Sequence, residues 1–308
     1  MSLSTSTMAP NRWIDKARST LRHCTAPWEA RPRGECRPKA CQPSHTEPPF
    51  SKTSQRTHRS HNQTPITMID LHNHLLPGID DGAPDLETSL ALARMAVRDG
   101  ITHLVCTPHI HPGRYDNTPA TIAAARAELV AGLQQAGIVL HISTAAEVRF
   151  GMELMVGIAQ NEIPFLGEWE GKKVLLLEFP HGEIPFGAER LTAWLLQRNI
   201  IPMIAHPERN KGLLRAPSKL KPFLEQGCLL QVTAASVAGG FGPAAQELAH
   251  SLLEEGVVTI LATDAHNQQY RPPILTDGMQ HAARLIGEAK AEALVRHNPW
   301  QIAQHHFS

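Results

Sequence analysis

From Met68 onward, short apolar runs rich in β-branched residues alternate with longer amphipathic stretches. A short apolar run bounded by turn residues reads as a strand, whereas apolar positions recurring every three to four residues read as one face of a helix. On that basis strands are expected at 68–72, 102–107, 139–146, 173–179, 201–205, 228–233 and 257–263. Helices are expected at 86–98, 119–136, 152–160, 187–198, 217–226 and 243–255, with 276–288 and 289–296 after the last strand. Gly100, Gly137, Gly227 and Gly256 each close a helical stretch and open onto a strand, as a helix-terminating residue does. Seven β-then-α units suit a parallel (β/α)7 barrel with its helices outside, an α/β fold related to the TIM barrel. A doubly wound open sheet is the alternative, but the G-x-G-x-x-G turn it would use to hold phosphates is absent.

Residues 1–67 are different. They hold 11 Lys+Arg against 4 Asp+Glu, 8 of the 24 Pro, and only 17 hydrophobic residues. No hydrophobic period survives among the prolines, so this basic extension is expected to be disordered. Composition leaves two readings of it open, a genuine extension or a true start at Met68. The chain as a whole balances 29 basic with 29 acidic residues, so residues 68–308 carry 18 basic and 25 acidic side chains. An acidic domain argues against nucleic acid as a partner. No run approaches the length of a membrane span, and Met1–Pro10 lacks the charge and apolar core of an export signal, which points to the cytoplasm. Cys24, Cys36, Cys41, Cys106 and Cys228 show no zinc-type pair spacing and read as unpaired thiols.

The chemistry gathers at the strand ends. Strand one ends in D-L-H-N-H (Asp70, His72, His74), strand two in T-P-H-I-H (His109, His111) and strand three in A-A-E-V (Glu147). Strand five ends in A-H-P-E-R (His206, Glu208, Arg209) and strand seven in T-D-A-H (Asp264, His266). In a parallel barrel all these ends share one face, so groups spread over nearly 200 residues would line one pocket. Imidazoles and carboxylates together describe a site for Mn, Fe or Zn, and His-x-His on a strand turns both rings to the same side. Any one of these histidines could be an ordinary structural residue. Five such endings on one face, with no other group to compensate them, are expected to bind metal.

Residues 68–308 resemble the polymerase-and-histidinol-phosphatase (PHP) superfamily. The segment I-D-L-H-N-H-L-L-P-G-I-D-D-G-A, followed by C-T-P-H, resembles in particular the manganese-dependent tyrosine-protein phosphatases of bacterial capsule and exopolysaccharide systems. A-E-V, L-E-F-P, A-H-P-E-R and T-D-A-H follow in order, and D-D-G is the most specific element. The resemblance implies a distorted PHP barrel with a cluster of up to three divalent ions, Mn²⁺ foremost. It implies the ligands His72, His74, Asp81, His109, Glu147, His206, Asp264 and His266, with Asp80 as a neighbour. It also implies phosphate-binding roles for Arg209 and Arg271, where a planar guanidinium can fork onto two oxygens. The substrate implied is a tyrosine-phosphorylated protein, the Tyr-rich tail of a bacterial tyrosine kinase. Relatives often carry two adjacent histidines after strand two, whereas here Ile110 separates His109 from His111. His111 is thus open as ligand, proton donor or pocket wall, and Glu178 of L-E-F-P as a partner of the ligands or an inner polar residue of the barrel.

Two or three divalent cations activate water near neutral pH and neutralise phosphate oxygens, so no covalent phosphoenzyme is required. The thiol route is excluded, because Ala30, Gln42, Glu47, Pro112 and Ala234 stand where an Arg would have to follow each Cys by six residues. No G-x-S-x-G is present for a serine nucleophile. A small phosphomonoester such as histidinol phosphate, and a non-catalytic metal-binding module, are the alternative readings.

Overall fold

The computed structural model describes residues 67–308, so the expectations for the basic extension and for Cys24, Cys36 and Cys41 fall outside the described residues. The strands are β1 (Met68–Asp70), β2 (Ile101–Cys106), β3 (His109–Ile110), β4 (His141–Thr144), β5 (Glu147–Arg149), β6 (Gly167–Trp169), β7 (Lys172–Glu178), β8 (Ile200–Ala205), β9 (Leu229–Thr233) and β10 (Ile260–Ala262). Parallel pairing runs β1–β2–β4 in one sheet and β3–β5–β7–β8–β9–β10 in the other.

These two sheets are one ring. β2 and β3 are parts of a single strand interrupted at Thr107–Pro108, where proline removes a ladder donor, and β4 and β5 are parts of another interrupted at Ala145–Ala146. Ala145 N–H donates to Cys106 O (2.8 Å) and Glu147 N–H to Pro108 O (3.1 Å), which carries the ladder across the break. The last gap closes where Asp264 N–H donates to His72 O (2.7 Å) and His74 N–H to Ala265 O (2.9 Å). Asp70 reinforces this closure, because its carboxylate accepts from Thr263 N–H (3.0 Å) and Thr263 Oγ1 (2.6 Å). The result is a distorted parallel barrel of seven strands.

Between and after the strands lie α1 (Leu86–Asp99), α2 (Pro119–Gln135), α3 (Glu153–Ala159), α4 (Ala188–Leu196), α5 (Lys211–Arg215), α6 (Lys221–Gln226), α7 (Ala234–Val237), α8 (Pro243–Glu254), α9 (Thr276–Ile286), α10 (Glu288–Val295) and α11 (His297–Ala303). All four helix-terminating glycines hold positive φ, from 63° at Gly137 to 95° at Gly100. Alternation along β7 divides the core: Leu175 and Leu177 join the cluster under the helices, while Val174 and Leu176 join a second cluster with Leu71, Val105 and Met203. Ile302 and Ala303 of α11 belong to that second cluster, so the C-terminal helix helps fill it.

Besides the short helices α5 and α7, two features depart from the expected elements. β6 pairs antiparallel with the first half of β7 through a two-residue turn at Glu170 (φ 52°) and Gly171 (φ 74°), and α11 follows the two expected C-terminal helices. Neither shows a sustained period. β6 spans three residues, and α11 is short, with Pro299 inside it.

Candidate metal centre

Each expected strand-end group arrives on the C-terminal face of the barrel. Glu147 and Asp264, both almost fully buried, lie at the middle. Glu147 Oε2 is 3.3 Å from His72 Nε2, 3.4 Å from His74 Nε2 and 3.1 Å from His109 Nδ1, and its Oε1 is 2.8 Å from His206 Nε2. Asp264 Oδ1 is 3.2 Å from His72 Nε2, 3.4 Å from His74 Nε2 and 3.7 Å from His266 Nδ1. Asp81 Oδ1, on the D-D-G loop, approaches His109 Nε2 (3.3 Å) and His266 Nε2 (3.5 Å). Donor atoms therefore fall into compact groups: His74 with Asp81, His109 and His266; His72 with His74 and Glu147; His72 with His206 and Asp264; and His109 with Glu147 and Glu178. Within each group the donors lie within 4.8 Å of one another.

The chain holds these rings in a defined tautomer. Asp80 Oδ2 is 2.7 Å from His74 Nδ1 and also accepts from His109 N–H (3.1 Å), while its Oδ1 accepts from Gly82 N–H (3.0 Å). Asp80 is outside the donor groups, and its carboxylate orients His74 instead. Gln231 Oε1 accepts from His206 N–H (3.1 Å), so His72 Nδ1, at 2.8 Å from the same oxygen, is the donor in that contact. Both rings thereby turn Nε2 lone pairs toward Glu147 and Asp264. Ring nitrogens and carboxylate oxygens facing one another in a buried space need a proton or a cation between them, and a divalent cation can serve several of these close pairs at once. This donor set fits divalent cations.

Five carboxylates (Asp80, Asp81, Glu147, Glu178, Asp264) face three guanidinium groups here (Arg149, Arg209, Arg271), and the surplus field falls on the imidazoles. Burial works against a charged His74, but Asp80 and hydrogen bonds to Asp264, Asp80 and Glu147 outweigh it and hold this ring well above the ordinary histidine range. His72 and His109 rise as well, against burial, through Glu147 and its neighbours. His206 is pushed down to about 3 by burial and then Arg209, and His266 to about 4 by burial and then His74. Asp264 lies well below the carboxylate range despite its burial, because of Arg209, His72 and Arg271.

Two of these positions carry backbone strain. His206 (φ 33°) and Asp264 (φ 51°) are left-handed without being glycine, a conformation that clusters at functional sites. Arg209 and Arg271 both donate to Asp264 Oδ2, and each leaves a buried Nε–H without an acceptor. Glu208 does not pair with Arg209. It is buried, accepting from Thr233 N–H (3.1 Å) and Ser236 Oγ (2.7 Å). His111 is outside every donor group: the chain doubles back there in a tight turn, His111 N–H donating to Tyr115 O (3.0 Å) and Tyr115 N–H to His111 O (2.8 Å).

Sequence reasoning passed over Gln231, Arg149 and His181. Gln231 had a readable signal, a fully buried polar residue inside the apolar strand L-L-Q-V-T. His181 follows L-E-F-P at the end of strand four. Burial and then Arg209 and Arg149 lower its pKa, and its ring lies 6.3 Å from that of His206.

A seven-stranded parallel barrel with imidazoles and carboxylates gathered at its C-terminal strand ends defines a hydrolase of the PHP type. Residues 68–304 match the family described as capsular polysaccharide synthesis, CpsB/CapC, and the chain belongs to that family. The tyrosine-protein phosphatase YwqE of Bacillus subtilis is 38% identical over 204 residues, covering 66% of this chain and 79% of its own. The tyrosine-protein phosphatase CpsB of Streptococcus pneumoniae is 28% identical over 244 residues, covering 76% and 98%. Among solved structures, one from work on YwqE and CpsB as metal-dependent tyrosine phosphatases superposes with a TM-score of 0.72 at 33% identity, over 78% of this chain and 95% of the other. No helix among the described residues is long and apolar enough to cross a membrane.

Proposed function

We propose that this chain is a divalent-cation-dependent protein-tyrosine phosphatase. The observation that carries the reading is the convergence of His72 and His74 lone pairs on Glu147 and Asp264, together with relatives that are tyrosine-protein phosphatases. His72, His74, Asp81, His109, Glu147, Glu178, His206, Asp264 and His266 would hold the cations. Nitrogen and carboxylate donors without thiolate suit Mn²⁺, Fe²⁺ or Zn²⁺ alike, and the family resemblance is what puts Mn²⁺ first. Bound there, the cations supply an activated water and neutralise charge on the transferring phosphoryl group.

The protein's own groups do the rest. Arg209 and Arg271, with their free Nε–H donors, grip phosphate oxygens. Asp80 and Gln231 hold His74 and His72 by Nδ1 and so orient both rings with Nε2 toward Glu147 and Asp264. His111, whose pKa is lowered by burial and then by Arg149, would contact the substrate as a hydrogen-bonding group and not as a cation ligand. The physiological substrate proposed is the tyrosine-rich tail of a bacterial kinase controlling polysaccharide export, met in the cytoplasm where the kinase finds its ATP.

The test is p-nitrophenyl phosphate and phosphotyrosyl-peptide hydrolysis before and after chelation. Activity should vanish on chelation and return with Mn²⁺, and His74→Ala or Asp264→Ala should cost at least about a hundredfold. Cys106→Ser should leave turnover intact, because that thiol is buried and burial pushes its pKa up, away from thiolate. Hydrolysis that survives thorough chelation would sink the reading.

A further inference from the structure

Arg149 is the third guanidinium of the site. It ends β5, and its register partner on β7 is Glu178, so opposite charges face each other across two neighbouring strands at the C-terminal face. Arg149 Nη1 is 2.9 Å from Glu178 Oε2. The same Glu178 carboxylate belongs to the donor group with His109 and Glu147. Asp264 is also paired with arginines, but both take Oδ2, and Oδ1 is left facing His72 and His74.

The electrostatics of this corner are unlike the rest of the cluster. Glu178 shares its donor group with a second carboxylate, Glu147, and the Arg149 guanidinium already neutralises it at 2.9 Å. A divalent cation brought to His109, Glu147 and Glu178 would compensate the same carboxylates, while meeting a fixed positive charge within ion-pair distance of one of its ligands. Like charges at that separation in a partly buried site repel strongly. The other carboxylates differ: Glu147 and Asp81 have only histidines within ion-pair distance, and the two arginines of Asp264 share its Oδ2.

We propose that Arg149 competes with a divalent cation for Glu178, so that the cluster holds two cations tightly and the one at His109, Glu147 and Glu178 weakly. Arg149 is then a positioning residue that sets how many cations the protein carries at a given metal concentration. Released from Glu178 when that cation enters, its guanidinium stays within electrostatic reach of His111 and His181, whose pKa values it helps to lower after burial and, at His181, after Arg209. This inference rests on the cation-cluster reading above.

The test is Mn²⁺ binding to the full chain by equilibrium dialysis with elemental analysis, compared among wild type, Arg149→Met, Arg149→Lys and Glu178→Gln. In wild type a last equivalent should bind about tenfold or more weakly than the others. Arg149→Met should tighten that equivalent by about tenfold and leave the tight ones unchanged. Arg149→Lys, which keeps the charge, should tighten it little, and Glu178→Gln should abolish it. A purely structural cross-strand ion pair predicts the opposite for Arg149→Met, a lower melting temperature with no gain in cation affinity, and that result would overturn the proposal. Three equivalents of equal affinity in wild type would overturn it too, while leaving the phosphatase reading in place. Failure to bind any Mn²⁺ would overturn both.

Discussion

Gly82 lies so close to His74 that a Cβ at position 82 would stand 2.0 Å from the His74 carbonyl oxygen. The D-D-G turn therefore presses directly on the strand end that carries a candidate ligand, with Asp80 and Asp81 on the same loop reaching His74, His109 and His266.

Gly82→Ala should accordingly displace the loop or His74. Overpacking of this kind costs about 1–3 kcal/mol, and the site should lose cations as well. A fall of several degrees in thermal midpoint together with reduced Mn²⁺ content is the expected outcome. Wild-type stability and metal content in the variant would show that the loop yields without moving the ligands.

Gln231→Leu should leave His72 Nδ1 and His206 N–H without their shared acceptor. Loss of such an orienting partner typically lowers metal affinity by about 10–100-fold. Titration with a competing chelator reads this directly. Unaltered affinity would mean that packing alone orients His72.

Arg209 and Arg271 converge on one oxygen of Asp264, so their effects should not be independent. Arg→Ala at either should lower kcat by about a hundredfold while elemental analysis finds the metal content unchanged. Lys should rescue only partly, since a point charge cannot make the planar forked contact. A rise in KM alone would reduce the arginines to docking groups, and unchanged kinetics would remove them from the mechanism.

His306 gives the pH dependence of the C-terminal packing. Its Nε2–H donates to Leu166 O (3.1 Å), so Nδ1 accepts from Ser143 Oγ (3.0 Å), and the ring is neutral in the fold. Burial, then the His305 charge, lowers its pKa. As pH falls through the unfolded value of about 6.5 the unfolded chain takes the proton first, so this stability is present above that value and is lost as pH falls through the lower folded pKa. Between about pH 7.5 and 5.5 the wild-type thermal midpoint should drop further than that of His306→Gln. Equal drops would place the acid sensitivity elsewhere.

The alternation of β-branched runs with amphipathic stretches already specified the parallel barrel, because the hydrophobic period is a local property that each segment carries by itself. The strand-end histidines and acids were legible for the same reason: once strands are parallel, their ends must share a face. Three things needed the tertiary structure. Whether an acid joins a donor group or holds a histidine depends on loop geometry, which separates Asp81 from its sequence neighbour Asp80. Whether the second histidine of His-x-His joins the cluster depends on the path the chain takes after the strand: His74 N–H is tied to Ala265 O, whereas His111 pairs back onto Tyr115. Gln231 and Arg149 acquire their roles only through contacts with residues 159 positions away and on the next strand, His72 and Glu178. Periodicity describes which side of its own element a residue occupies. Which atoms it meets there is decided by register, closure of the ring and the packing of distant segments.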